Sequence, residues 1–300
     1  MAPLTTSPNR TTATLIGATA VLMWGLLALF TTLTGNVPPF LLAALSFGIA
    51  TVMIVSKWLV RGENVVAHLR QPFGAWALGV GGLFGYHFFY FMALRNAPPV
   101  EAGLIAYMWP LLIVLFSALL PGERLRWWHV TGAIIGFFGA VLLVTGGSGI
   151  GNFKSQYVLG YAMAIACALT WSAYSVVNRR FSRVPTDTVG GFCTVVALLA
   201  TVCHFAFEKT VLPETWDQWL AVFGLGLLPV GAAFFTWDYG TKHGNIQALG
   251  AFSYAAPLIS TLVLIAAGKG EASWVVAASC VLIIGGALIA SKDLFSSRAS

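Results

Sequence analysis

Ten separate runs of about 20 mostly apolar residues each make up three quarters of this 300-residue chain. They lie at 13 to 33, 39 to 60, 72 to 94, 98 to 120, 126 to 145, 158 to 180, 186 to 207, 215 to 241, 244 to 267 and 272 to 291. A helix needs about 20 apolar residues to cross a hydrocarbon layer roughly 30 Å thick. The runs therefore fit a membrane, and no length remains for a soluble domain. Composition agrees: 58% of residues are hydrophobic and only 9% charged, whereas soluble domains carry about a quarter charged. Lipid gives the backbone no hydrogen-bond partner, so each segment must satisfy itself as a helix. A barrel would instead show alternating segments of about ten residues. The expected fold class is an all-α membrane protein with ten transmembrane helices. Arg10 before the first run resembles the start of a signal peptide, but the run is long and no small-x-small cleavage site follows, so it reads as an uncleaved helix.

An even number of helices puts both termini on one side. Of 16 Lys and Arg, twelve then share that side: Arg10, Lys57, Arg61, Arg70, Arg124, Arg126, Arg179, Arg180, Arg183, Lys242, Lys292 and Arg298. Arg95, Lys154, Lys209 and Lys269 lie opposite. Basic loops stay in the cytoplasm, so both termini are expected there. The net charge of +6 is scattered among loops rather than gathered in a patch, which argues against a nucleic-acid partner. Cys167, Cys193, Cys203 and Cys280 fall singly within runs. Without C-x-x-C spacing they read as small packing residues, and neither metal nor cofactor is expected.

The chain also repeats itself. At an offset of 147 residues, Trp24 maps to Trp171, Val37-Pro38 to Val184-Pro185, and Gly79 to Gly226. "GLIAYMWP" from Gly103 maps to "GAFSYAAP" from Gly250, and "GAVLL" from Gly139 to "GALIA" from Gly286. The expected halves are 1–147 and 148–300. Each holds five helices, and an odd number makes the second copy enter the membrane from the opposite face. Inverted repeats around a midplane site are a mark of secondary transporters, where two similar halves exchange conformations to open alternate sides. In the shared G-x-x-x-Y-x-x-P, Gly103, Tyr107 and Pro110 fall on one helical face, as do Gly250, Tyr254 and Pro257. Glycine admits a close neighbour. Proline kinks the helix and frees a carbonyl, which lipid does not tolerate but a cavity does. Pro110 and Pro257 are thus either cavity-lining kinks or packing kinks without a ligand.

His87 sits near mid-depth with Tyr86 and Tyr90 on one arc, and Tyr107 at similar depth on the next helix. Trp24, Trp171, Tyr107 and Tyr254 are too deep for the interfacial aromatic belt, to which Trp58, Trp127, Trp128, Trp216 and Trp219 are assigned. His87 either touches cargo or makes a structural hydrogen bond, and histidine's titration range would let it carry a coupled proton. Glu101 complements the dipole of the helix it starts, and Asp238 is spaced to pair with Lys242. No Lys or Arg lies mid-helix to bind phosphate. The first helix holds no acid, against a proton-coupled cation antiporter. Neither H-E-x-x-H nor two acids at matching depth point to an enzyme. An amino acid, neutral overall with charged ends, fits what remains.

With these residues in view, the chain resembles the drug/metabolite transporter superfamily, specifically the ten-helix EamA type, whose halves end in a Glu followed by a Gly-spaced helix. Here those are Glu123 with Gly132 and Gly139, and Glu271 with Gly286. Cys280 stands where that spacing has glycine, a departure that bears on the tightness of the last helix's packing and not on the fold. Residues 86–120, "YHFFYFMALRNAPPVEAGLIAYMWPLLIVLFSALL", are similar to bacterial aromatic amino-acid exporters of this type. The resemblance implies an exporter of the bacterial inner membrane with a cavity lined by helices 1, 3, 4, 6, 8 and 9. His87, Tyr90, Tyr107, Trp109 and Trp171 are its matching cavity residues, with Trp24, Trp237 and Tyr254 completing the expected set. The implied cargo is aromatic amino acids and also neutral ones such as methionine and threonine; drugs or other small metabolites are the alternative. Membrane lipid and cargo are the expected partners, protons are left open, and no oligomer is required. Trp171→Ala and Tyr107→Ala are expected to lower transport with near-normal folding.

Overall fold

The computed structural model describes residues 9–149 and 154–293, so Arg298 lies outside the described residues. These form ten apolar helices and, among the described residues, no strand. They are α1 (Arg10–Leu33), α2 (Pro39–Val60), α3 (Phe73–Asn96), α4 (Pro99–Leu119), α5 (Trp127–Thr145), α6 (Ser155–Phe181), α7 (Thr186–Phe207), α8 (Trp216–His243), α9 (Ile246–Ala266) and α10 (Trp274–Ala290). The first nine have the length of a membrane span, and α10 is slightly shorter at 17 residues. α1 starts three residues earlier than expected because Asn9 caps it, accepting from the Thr11 N–H at 2.9 Å. Pro39 and Pro99 open α2 and α4, positions where a missing N–H costs nothing.

Four helices are interrupted. α1 breaks after Trp24, α4 after Ala106 and α9 after Phe252, while α8 widens into a π segment at Leu228–Ala232 around Pro229. Pro110 and Pro257 each lie just beyond a break. Proline explains three of the four interruptions. In α1 the break falls at Gly25, where a Cβ would come within 2.4 Å of Ile259 on α9.

The halves pack crosswise. α3 lies on α6 and α8 on α1, while α2 meets α7, α4 meets α9 and α5 meets α10. Exchanging equivalent helices maps this pattern onto itself, as two inverted repeats about an axis in the membrane plane require. Glycines let the closing helices touch: a Cβ on Gly132 would lie 2.4 Å from the Gly286 carbonyl oxygen, and one on Gly286 2.5 Å from that of Gly132. Cys280 does not open this seam, since it packs against the same core.

Polar links hold the halves together more densely on the side of the termini. Glu123 binds Arg179 of α6 and Arg10 of α1, each at 2.9 Å, and accepts from Gln247 of α9 at 3.2 Å. Lys57 pairs with Asp187 at 2.5 Å. Fully buried Asp238 is held by Lys242 at 2.8 Å, Asn178 at 2.9 Å and Thr186 at 2.7 Å. The expected Asp238–Lys242 pair is thus present, within a network the sequence did not suggest. Trp58 is a correction: it is not in an interfacial belt but 1% exposed, donating to Asp187 and stacking on His68. On the opposite side, Glu208, which follows the last residue of α7, accepts from the Phe40 and Leu41 N–H groups, satisfying the start of α2 where Pro38 has no side-chain donor or acceptor to offer. Glu101 begins α4 as expected and also accepts a hydrogen bond from the Tyr161 hydroxyl.

Candidate functional site

The interruptions converge at mid-depth. The break in α1 turns Trp24 toward α8, where its indole N–H donates to the Pro229 carbonyl of the π segment at 3.1 Å. Trp24 contacts Trp109, Trp171 and Trp237 at ring-centre distances of 6.1, 5.7 and 5.0 Å. Edge-to-face and offset packing of this kind is the favourable geometry for aromatic rings, and it makes a rigid floor from four helices.

Above this floor is a cavity of about 270 Å3. α3 contributes Tyr86, His87 and Tyr90, α4 contributes Gly103, Ala106, Tyr107 and Trp109, and α6 contributes Trp171. Residues of α1, α8 and α9 complete it, among them Trp24, Phe234 and Ser260. Leu27, Ala28, Tyr90, Gly103 and Ser260 also line it, and each lies toward the end of its helix away from the termini. The cavity therefore extends toward that side, opposite the dense polar links.

Its chemistry is uncharged but not apolar. No Asp, Glu, Lys or Arg lines it among the described residues. His87 Nδ1 lies 2.7 Å from the Leu83 carbonyl. A carbonyl can only accept, so Nδ1 carries the proton, and in the neutral ring Nε2 keeps a lone pair. The hydroxyls of Tyr86, Tyr90 and Tyr107 have no protein partner among the described residues. The wall thus offers three O–H donors, one imidazole acceptor and several ring faces.

Of the residues expected at the site, Trp24, His87, Tyr90, Tyr107, Trp109 and Trp171 come together around the cavity. Trp237, Tyr254, Pro110 and Pro257 are not among its lining residues. Trp237 is part of the floor but fully buried within it, donating to the Ser175 hydroxyl at 3.1 Å. The Tyr254 hydroxyl oxygen instead accepts the Leu111 N–H at 3.0 Å, so this tyrosine ties α9 to α4 across the break. Pro110 sits against Gly250, whose Cβ would lie 3.1 Å from the Pro110 carbonyl. Gly250 thus allows a close approach as expected, whereas nothing lies within 4 Å of a Cβ on Gly103, which leaves room in the cavity. The repeat explains these differences. At the offset of 147, Tyr90 corresponds to Trp237, Tyr107 to Tyr254 and His87 to Phe234; of these second-copy aromatics Phe234 lines the cavity, while Trp237 and Tyr254 are fully buried. The same offset could have identified Phe234. Trp171 is 3% exposed and wedged among rings, so Trp171→Ala would cost roughly 3–5 kcal/mol of stability rather than leave folding near normal.

One cluster among the described residues has metal-ligand spacing, Glu63, His68 and Asp187, away from the cavity. The Lys57 ammonium already neutralises Asp187 there, and Glu63 holds His68 at 2.9 Å, so the donors serve one another.

The profile of the EamA-like transporter family matches twice, over residues 11–145 and 158–292. An aromatic amino acid exporter, YddG, of Ancylobacter novellus is 55% identical over 94% of this chain and 98% of its own. The protein of that name in Escherichia coli is 23% identical over 94% of this chain and 97% of its own. A crystal structure 54% identical in sequence superposes with a TM-score of 0.89, covering 94% of this chain and 98% of that one.

Proposed function

The chain belongs to the EamA-like transporter family, and from that premise we propose that it exports amino acids across the bacterial inner membrane by alternating access. Aromatic amino acids are its foremost cargo, with neutral ones such as methionine and threonine also carried. Both termini lie in the cytoplasm, in keeping with twelve of the 16 basic residues on their side. No chemical step is involved.

The observation that carries this reading is a cavity walled by indole and phenol rings, with hydroxyls and an imidazole but, among the described residues, no Asp, Glu, Lys or Arg. A zwitterion suits it. The carboxylate takes O–H donors from the tyrosines, the ammonium meets the His87 Nε2 lone pair and ring faces, and an aromatic side chain packs against the tryptophan floor. A phosphorylated cargo would bring charge without a partner, which burial penalises heavily. The relative at 55% identity, named an aromatic amino acid exporter, supports the same cargo.

Proteoliposomes loaded with labelled tryptophan, phenylalanine, methionine, threonine or methyl viologen provide the test, with and without a pH gradient. Efflux of the amino acids, fastest for the aromatic ones, is expected. Efflux of methyl viologen alone would replace amino acids with drugs as the cargo. A rate that follows the imposed gradient would identify protons as the coupled ion. His87→Phe, which copies the second repeat, should raise the half-saturating amino-acid concentration by about tenfold or more, the effect of one lost hydrogen bond to a charged group.

A further inference from the structure

A second feature lies at the termini-side end of the seam between α5 and α10. Here Trp127 and Trp128 at the start of α5 face Leu288 and Ile289 of α10 and Lys292 just beyond it, enclosing a shallow groove. Trp127, Leu288 and Ile289 are exposed, and in a membrane their neighbour is acyl chain. The Arg126 guanidinium lies 5.0 Å and the Lys292 ammonium 5.3 Å from the centre of the Trp128 ring. Neither cation pairs with a carboxylate among the described residues. The nearby acid, Asp293, is engaged by His129 Nε2 at 2.9 Å. The Trp128 indole N–H is shielded from solvent and has no acceptor.

These observations ask for the same ligand. Two cations that pair with no carboxylate, and an N–H without an acceptor, among the described residues call for an anion with several oxygens. Leu288 lies one helical turn before Lys292, so the apolar strip continues directly from the charged end toward the hydrocarbon. The groove sits where a helix start and a helix end reach the headgroup layer, the depth at which basic pockets between helices hold anionic headgroups. Arginine suits this role because its planar fork meets two phosphate oxygens at once.

We propose that this groove binds an anionic phospholipid. Its phosphate lies between Arg126 and Lys292 and accepts from Trp128, and the first part of an acyl chain lies on Leu288 and Ile289. Arg126, Trp127 and Trp128 belong to the first repeat, whereas Leu288, Ile289 and Lys292 belong to the second. The lipid therefore clasps the two repeats beside the Gly132–Gly286 crossing.

Native mass spectrometry of the purified protein, titrated with phosphatidylglycerol or with phosphatidylcholine of the same chains, tests this directly. The wild type should bind phosphatidylglycerol roughly 10- to 30-fold more tightly, as two near-surface cations would give. R126Q/K292Q should lose that preference. W128F, which keeps the ring and removes the N–H, should weaken it about tenfold. R61Q/R70Q, also on the side of the termini but remote in sequence from the groove, should bind like the wild type. Phosphatidylglycerol should raise the melting temperature of the wild type and not of R126Q/K292Q. No lipid preference in the wild type would overturn the proposal, as would a preference retained by R126Q/K292Q. An equal loss in R61Q/R70Q would do so too, since it would mean diffuse attraction rather than a site.

Discussion

Glu123→Gln should release the side of the cavity that is closed. Glu123 is 9% exposed and joins Arg179, 21% exposed, to Arg10, 51% exposed, so one carboxylate spans both repeats. The two pairs have unequal weight. A charge-assisted hydrogen bond between largely buried groups contributes about 1.5–3 kcal/mol, while a half-exposed pair such as Arg10–Glu123 contributes about 0–1 kcal/mol. Glutamine keeps the shape and one acceptor oxygen, so the net loss is about 2 kcal/mol. At about 1.4 kcal/mol per decade, that shifts the balance between the closed and open termini side by roughly 30-fold. Hydrogen exchange measured by mass spectrometry in nanodiscs reads this out. Backbone amides of residues 119–126, 176–186 and 243–250 should exchange faster in Glu123→Gln, while those near Glu208 should not change. A variant melting near the wild-type temperature with unchanged exchange in all three segments would refute the reasoning that this carboxylate holds the halves closed.

Further substitutions test the packing and the cavity separately. Lys242→Met leaves Asp238 buried without its cation and should cost about 3–5 kcal/mol, read as a lower melting temperature in detergent; adding Asp238→Leu should recover part of it. Gly286→Val sets side-chain carbons against the Gly132 carbonyl and should cost at least 1–3 kcal/mol, on the order of other overpacked cores, visible as loss of monodisperse protein in size exclusion. Tyr107→Phe should retain the wild-type melting temperature and reduce amino-acid efflux several-fold, whereas equal efflux would remove its hydroxyl from the proposed binding set.

Much of the fold was legible because lipid imposes a simple rule. Unbroken apolar runs declare helices, and the five-plus-five repeat sets their relative orientation. Where helix ends differ from the expected ones they do so by one to three residues, at α1 because Asn9 caps it. The site was partly legible: deep aromatics such as Trp24 and Trp171 could be distinguished from interfacial ones by position along their runs. What remained hidden depends on partners far away in sequence. Glu208 caps α2 across 168 residues, and Trp58 is buried by a neighbour that no local pattern names. The repeat also misled slightly, because it predicts similar places for Tyr107 and Tyr254 but not that one faces open space and the other a backbone N–H.

That divergence has a consequence for the working cycle. Two copies that trade shapes do not trade side chains. A compartment opened toward the termini would be walled by Trp237 and Phe234 where its counterpart has Tyr90 and His87, so under alternating access the carrier grips its passenger unequally on the two faces. Such an imbalance sets where the loaded protein lingers, not the direction of net flow, which follows the gradients. Half-saturation measured from opposite faces of one vesicle should accordingly differ, with the weaker grip on the face that bears the termini.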